Sequence, residues 1–274
     1  MDDDKHNISF TGVVITYNEE RYLRECLNSL AFCEQLLVID MGSDDSSVRI
    51  AKECGAEVIH HDRVLIVEQI REKVIAYVKN NWVIFVDPDE ILPHDIEDDL
   101  RSVIANNPNT GLIKIPWQFY FKESPLHCTI WGRECEKSFV YHRKRVKFNP
   151  DVHATPQVLN GYTAVELPKK YDGYCVKHYW VYSYCKMFEK HWRYIRYEGK
   201  SRYNNGNRFC WSSAFINTMK VLKINLIEYR GLYNGFTGIF LSFFYSWYIF
   251  MCWLSLRKYE RLQHFKESIV NNKK

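Results

Sequence analysis

Asp87-Pro88-Asp89 is where chemistry is easiest to place in this sequence. Two carboxylates flank a proline that cannot continue a central strand, so they form a hard, oxygen-rich corner just past a strand end. Such a corner suits a divalent cation and the phosphates that a cation bridges. Taken alone, an acid pair of this kind more often opens a helix, whose N-terminus favours negative charge. Its neighbours shift the balance. Tyr17-Asn18-Glu19 and Asp40-Met41-Gly42-Ser43 also close apolar runs. A carboxylate in such a place can accept hydrogen bonds from a base N–H or from ribose hydroxyls. Gly42 lets the backbone approach a ligand closely.

The runs that carry these clusters read as buried strands. Residues 10–17 (FTGVVITY), 35–40 (QLLVID) and 82–86 (WVIFV) are rich in β-branched and aromatic side chains. Tyr22, Leu23, Cys26, Leu27 and Leu30 recur at helical spacing after the first run. Ser and Asp residues can cap a second helix, 48–54, which Gly55 closes before a short strand at 57–60. Alternation of strand and helix over residues 10–60 predicts an α/β fold: a mostly parallel, Rossmann-like sheet with helices on both faces. In such sheets ligands sit beyond the carboxyl ends of the strands, so the three clusters should face one crevice. Residues 68–77 predict a helix presenting Arg71 and Lys73, cations able to meet a pyrophosphate. Further on, 95–106 predicts a helix, 111–121 a strand with Pro116 at a bend or edge, and 138–142 another strand. Trp117, Phe119, Tyr120 and Trp131 offer faces on which sugars stack, or else core. No G-x-x-x-x-G-K or G-x-G-x-x-G occurs, which argues against P-loop and dinucleotide-binding folds.

The two parts of the chain differ in charge. Residues 1–168 carry 18 Lys+Arg against 27 Asp+Glu, and residues 169–274 carry 19 against 6. We therefore expect a catalytic domain over 1–168 and a basic, aromatic-rich helical region over 169–274, which associates with a membrane or with a second copy. Residues 238–256 hold no charge, yet include Tyr245, Trp247, Tyr248, Trp253 and three serines. That mixture suits the headgroup boundary of an anionic membrane better than a hydrocarbon centre, although a buried hairpin and a true span fit the length. Nine scattered cysteines without a C-x-x-C pair read as reduced thiols of a cytosol-facing protein, with no zinc spacing. The first residues show no apolar run of the secretory kind.

The segments V-V-I-T-Y-N-E-E, L-L-V-I-D-M-G-S-D-D-S and V-D-P-D-E, in that order and spacing over Phe10 to Leu92, resemble the inverting family 2 glycosyltransferases of the GT-A fold. The resemblance implies a nucleotide-sugar donor, a UDP-sugar above all. Thr16, Tyr17 and Glu19 would surround base and ribose, with Asp40 on the base beside Gly42, Arg71 near the nucleotide and Asp87 on the ribose. Asp89 would hold Mg²⁺ or Mn²⁺, while Asp44 and Asp45 would steady the turn. An inverting transfer needs a carboxylate to take the acceptor hydroxyl's proton. Relatives place an acid shortly after an aromatic, which selects Glu136 and Glu134 after Trp131, with Asp151 and His153 as the fallback. The plain Glu-Asp pair of many relatives is absent. Residues 177–186 and 231–238 resemble, more loosely, the lipopolysaccharide-core enzymes of that family. They imply a lipid-linked or core oligosaccharide acceptor and a peripheral, cytoplasmic place at the inner face of the cell membrane. Competing readings are a sugar nucleotidyltransferase, a non-catalytic relative, and a nucleic-acid binder using the basic aromatic tail. The first lacks its Gly-rich phosphate loop, and the last leaves the uncharged segment without a role, so no nucleic acid partner is expected.

Overall fold

In the computed structural model, residues 8–64, 67–133, 135–148 and 156–271 are described. They fall into two compact units, Met1–Gln118 with Glu134–Trp180, and Phe119–Arg133 with Val181–Lys274.

In the first unit β1 (Phe10–Thr16) is buried along its whole length. It lies between β2 (Gln35–Asp40) and β4 (Trp82–Val86), with β3 (Glu57–His60) beyond β2, all four parallel in the order β3-β2-β1-β4. The alternation of each strand divides its side chains between two layers. Phe10, Val14, Val38, Ile84 and Val86 pack with Leu23 and Leu27 of α1 (Glu20–Ser29), Ile50 of α2 (Ser47–Glu53) and Leu100 of α4 (Ile96–Asn106). Val13, Ile15, Leu37, Ile39 and Phe85 pack instead with Ile70 and Val74 of α3 (Glu68–Val74). Each such side chain contributes about 1.5–3 kcal/mol on full burial, enough to fix the register of every strand. The expected α/β sheet with helices on both faces is present.

Beyond β4 the sheet turns antiparallel. β8 (Cys135–His142) runs against β4, and β6 (Thr110–Phe121) runs against β8. β12 (Val176–Val181) follows β6 in the sheet and pairs with the two-residue β5 (Glu90–Ile91). Pro116 therefore lies inside β6, opposite Glu136, and not at an edge; the register has already slipped between Ile113 and Lys114.

The second unit is helical. Ser183 caps α5 (Tyr184–Asn204), its hydroxyl accepting from Lys186 N at 3.2 Å. Met187, His191 and Ile195 of α5 are buried, while Tyr194 is exposed. α6 (Trp211–Lys223) continues into a π turn, Ile224–Glu228, where the buried Asn225 accepts from Ile130 N at 2.8 Å and donates to Val221 O. A 3₁₀ turn, Gly231–Asn234, leads into α7 (Gly235–Asn271). α5 meets α7 where Gly199 faces the Ser255 carbonyl so closely that no Cβ fits, and Ser255 Oγ donates to Ile195 O at 2.6 Å. Trp131 is core here, edge-on to Tyr245 and His191. Within 238–256, Leu241, Ser242, Phe244, Ser246, Cys252 and Leu256 are buried. Residues Gly231–Lys266 form a helical stretch long and apolar enough to cross a membrane by length and composition, and a third of its most apolar window is buried. All nine cysteines are free.

His142, at the end of β8, lies edge-on to Trp82 and is buried. Burial, then Arg145, Lys144 and Arg143, push its imidazole down to about 4. The folded state thus binds this proton less readily than the unfolded chain, and stability is lost as pH falls through 6.5 toward 4. His142→Phe should remove that loss. Unfolding titrations should show the variant gaining about 2 kcal/mol on the wild type between pH 7.5 and 4.5.

Candidate active site

The parallel registers gather the predicted clusters. Thr16 pairs with Asp40, Asp40 with His60, and Val14 with Val86, so Tyr17, Asp40 and Asp87 all lie at the carboxyl edge of β1, β2 and β4. β2 and β4 flank β1, which sets their tips two strand spacings apart, about 10 Å.

The first two tips are stitched together. Asn18, in the left-handed region at φ 55°, donates from its side chain to Asp44 at 2.6 Å and from its backbone to Ser43 Oγ at 3.0 Å. Glu20 N donates to Asp45, and Glu19 N to Ser47 Oγ, so the β2–α2 turn satisfies open N–H groups at the start of α1. Asp44 and Asp45 are thereby committed to the turn. Asp40 is 1 % exposed; its carboxylate accepts from Gly42 N at 3.2 Å and Ser43 N at 3.1 Å, and meets His60 Nδ1 at 3.1 Å. Burial alone would push this carboxyl up, but the bonds from Ser43, Gly42 and His60 outweigh it and hold it below its ordinary value. Gly42, at φ 84°, makes that turn possible. Arg63 lays its guanidinium 3.8 Å from the Tyr17 ring centroid, a cation–π contact on the residue expected near the base.

At the third tip the acids are sorted by their partners. Lys137 of β8 places Nζ 2.9 Å from Asp87 and 2.6 Å from the fully buried Glu90. Glu90 also accepts from Trp117 Nε1 at 2.8 Å and, through its other oxygen, from Asp87 N at 2.9 Å. Burial opposes ionisation of Asp87, yet Lys137, with Arg71 and His178 behind it, holds that carboxyl well below its ordinary range. Glu90 goes the other way: burial pushes it up, against the pull of Lys137. Asp89 faces elsewhere, with Oδ2 3.3 Å from His178 Nε2. His178 stacks on Trp117 at 4.9 Å, and Tyr179 N donates to the Asp89 carbonyl at 2.8 Å. A carboxylate beside an imidazole nitrogen is a donor pair that would suit Mn²⁺ or Mg²⁺. Among the described residues no group of three or more His, Cys, Asp or Glu is arranged around a cation. Arg71 of α3 lies 5.4 Å from the Phe85 ring centroid, and its buried Nε makes no hydrogen bond among the described residues.

Thr16 is fully buried beneath this edge. Glu19 lies at the start of α1, in the stitched turn. Glu136 is adjacent to Lys137 and so projects from the opposite face of β8. It is exposed and shares a contact with Glu166, which is paired with Lys114 at 2.8 Å. Burial and Glu166 raise the Glu136 carboxyl. Glu134, Asp151 and His153 lie outside the described residues. Sequence reasoning missed Arg63, Glu90, Lys137 and His178. Glu90 stands in the V-D-P-D-E run itself, and His178 in the quoted stretch 177–186, whereas nothing local marks Lys137 or Arg63.

Residues 11–124 match the profile "Glycosyl transferase family 2". Over 95 residues, 34% of this chain and 32% of that protein, the chain is 32% identical to an uncharacterised glycosyltransferase of Rickettsia typhi. It is 34% identical over 114 residues to glycosyltransferase GlyA of Streptococcus pneumoniae, covering 38% of this chain and 15% of GlyA. The chain thus spans about a third or less of the length of these relatives. Among solved structures it is similar to S. aureus TarS 1–349 in complex with UDP-GlcNAc (22% identity, TM-score 0.38, 41% of this chain and 35% of that one). Another is glucosyl-3-phosphoglycerate synthase from Mycobacterium tuberculosis with Mn²⁺, UDP and glucosyl-3-phosphoglycerate (19%, TM-score 0.35, 43% and 46%). Structural likeness of that degree carries no argument about function. This chain is thus similar to family 2 glycosyltransferases over residues 11–124.

Removing one partner of a buried ionic cluster leaves the other charges uncompensated. Lys137→Met should lower stability by about 3–5 kcal/mol in urea unfolding. Adding Glu90→Gln should restore at least about half of that loss, because the deepest charge is then gone. Additive losses in the double variant would show that Lys137 does not act through Glu90.

Proposed function

We propose that this protein is an inverting, metal-dependent glycosyltransferase. It moves a sugar from a nucleotide-diphosphate donor, with UDP-sugars favoured, to a lipid-linked saccharide or lipopolysaccharide-core acceptor at the inner face of the cell membrane. The observation that carries the reading is the set of acids at the tips of neighbouring parallel strands, Asp40 on β2 and Asp87 and Asp89 after β4. The family 2 match over the same residues supports it.

Tyr17 under Arg63 offers an aromatic face for the base. Asp40 has carboxylate lone pairs for a base N–H beyond those that Gly42, Ser43 and His60 use. Asp87, kept ionised by Lys137, accepts from ribose hydroxyls. Asp89 and His178 would hold Mg²⁺ or Mn²⁺, which when bound offsets the charge of the leaving diphosphate. Arg71 adds fixed positive charge on the same side of the sheet, where its field already reaches Asp87. The acceptor oxygen attacks the anomeric carbon as the bond to the diphosphate breaks, and its proton passes to a carboxylate. Glu134 and Glu136 are the proposed bases. With Glu136 in that role, the acceptor approaches from the face of β8 opposite Lys137.

Asp89→Ala should lower kcat by about 10²–10³-fold or more, with the melting temperature little changed, because a cleft acid supports little packing. A thermal-shift screen of UDP-, GDP-, TDP- and CMP-sugars, with and without Mn²⁺, identifies the donor through ligand-linked stabilisation. Turnover at the wild-type rate by Asp89→Ala, with metal present, would defeat the reading.

A further inference from the structure

The second unit carries an apolar corner that its own packing does not cover. α6 and α7 run antiparallel: Phe209 and Trp211 meet Trp253 and Arg257, while Gly231 packs against Gly238 and Ser242. The turn between them, with the first turns of α7, exposes Ile227, Leu232, Tyr233, Phe236, Ile239 and Phe243. Tyr233 and Phe236 are 82 % and 73 % exposed, and Phe236, Ile239 and Phe243 fall at i, i+3 and i+7, a single stripe of α7. Such side chains are normal singly on a surface, but six within seventeen residues at one turn are a patch. Its charge is one-sided. Residues 211–243 hold Lys220, Lys223 and Arg230 against Glu228 alone.

We infer that this corner seats in the headgroup region of an anionic lipid bilayer. Phe236, Ile239 and Phe243 enter the acyl boundary, Tyr233 sits at headgroup level, and Lys220, Lys223 and Arg230 meet lipid phosphates. Charge decides between a bilayer and a second copy of the chain. A self-complementary apolar face rimmed by three cations brings like charges together across the two-fold, whereas an anionic surface neutralises them. The inference deepens the membrane-face location proposed above, but its test needs neither donor nor acceptor, so either reading can fail without the other.

The test is co-sedimentation of the full chain with vesicles of phosphatidylcholine alone, or containing about a third phosphatidylglycerol. We expect binding to the anionic vesicles, at least about tenfold tighter than to the neutral ones. Phe236→Ser with Phe243→Ser should weaken it at least about tenfold. Lys223→Gln should weaken it about fivefold on anionic vesicles only. Tyr197→Ser, at an exposed aromatic of α5, should change nothing. Circular dichroism of each variant shows whether the helices persist. No binding by the wild type, binding that survives the double substitution, or equal loss in Tyr197→Ser overturns the assignment. So does a dimer in sedimentation equilibrium that Phe236→Ser dissociates.

Discussion

The ammonium of Lys137, set between Asp87 and Glu90, is the interaction on which the site depends. Glu90 has no exposure, and an unpaired carboxylate there would cost several kcal/mol. Its position follows from strand pairing. β8 runs against β4 with Trp82 opposite His142 and Ile84 opposite Val140, so the earlier residues of β8, Lys137 among them, lie toward the carboxyl end of β4. A cation delivered by the antiparallel half of the sheet thus stabilises acids delivered by the parallel half. Glu90 is further held by Trp117 of β6, and Trp117 in turn stacks on His178 of β12. Three strands that follow β4 in the chain, β6, β8 and β12, converge on its tip.

That convergence separates three acids within four residues of sequence into three chemical roles. Glu90 is structural and deep, with all its oxygens engaged. Asp87 is half-exposed and held ionised by its cation. Asp89 sets its carboxylate beside the His178 imidazole, a donor pair of the kind a divalent cation takes. Were Lys137 moved by one residue along β8, the pleat would carry it to the far face, where Glu136 sits beside Glu166 and Lys114.

The sequence revealed the parallel half of the fold because its signals are local. Apolar runs of five to seven residues ending in Tyr17, Asp40 and Asp87 mark β1, β2 and β4. The order of strand and helix implies parallel pairing, and from that the shared edge follows. What stayed hidden depends on antiparallel pairing over long separations. Lys137 lies fifty residues from Asp87 and His178 almost ninety from Asp89, and no periodicity carries a register across such distances. Trp131, for which the sequence left sugar stacking and core packing both open, belongs to a helical core. Residues 119–133 belong with that core, although they interrupt the sequence of the sheet. Composition changes near residue 169, so it cannot mark an excursion so far upstream.

The helical unit repays the same scrutiny, because its longest apolar segment misleads when read as a uniform stretch. The face that α7 turns inward combines Leu241, Phe244, Cys252 and Leu256 with Gly238, Ser242 and Ser246. Those serines spend their hydroxyls on carbonyls one turn back, at 2.7 and 2.9 Å, so they cost little when buried and let the neighbouring backbone approach closely. At the first turns of α7 the inward positions are Gly238, Leu241 and Ser242, while Phe236, Ile239 and Phe243 lie at the surface. A water-facing helix of a globular core shows the reverse arrangement, large apolar groups within and polar ones without. Hydropathy averaged along the helix cannot separate the two cases, since both give the same total. The distribution around the axis does, and here it sets the apolar bulk of the first turns of α7 on the side that the protein leaves bare.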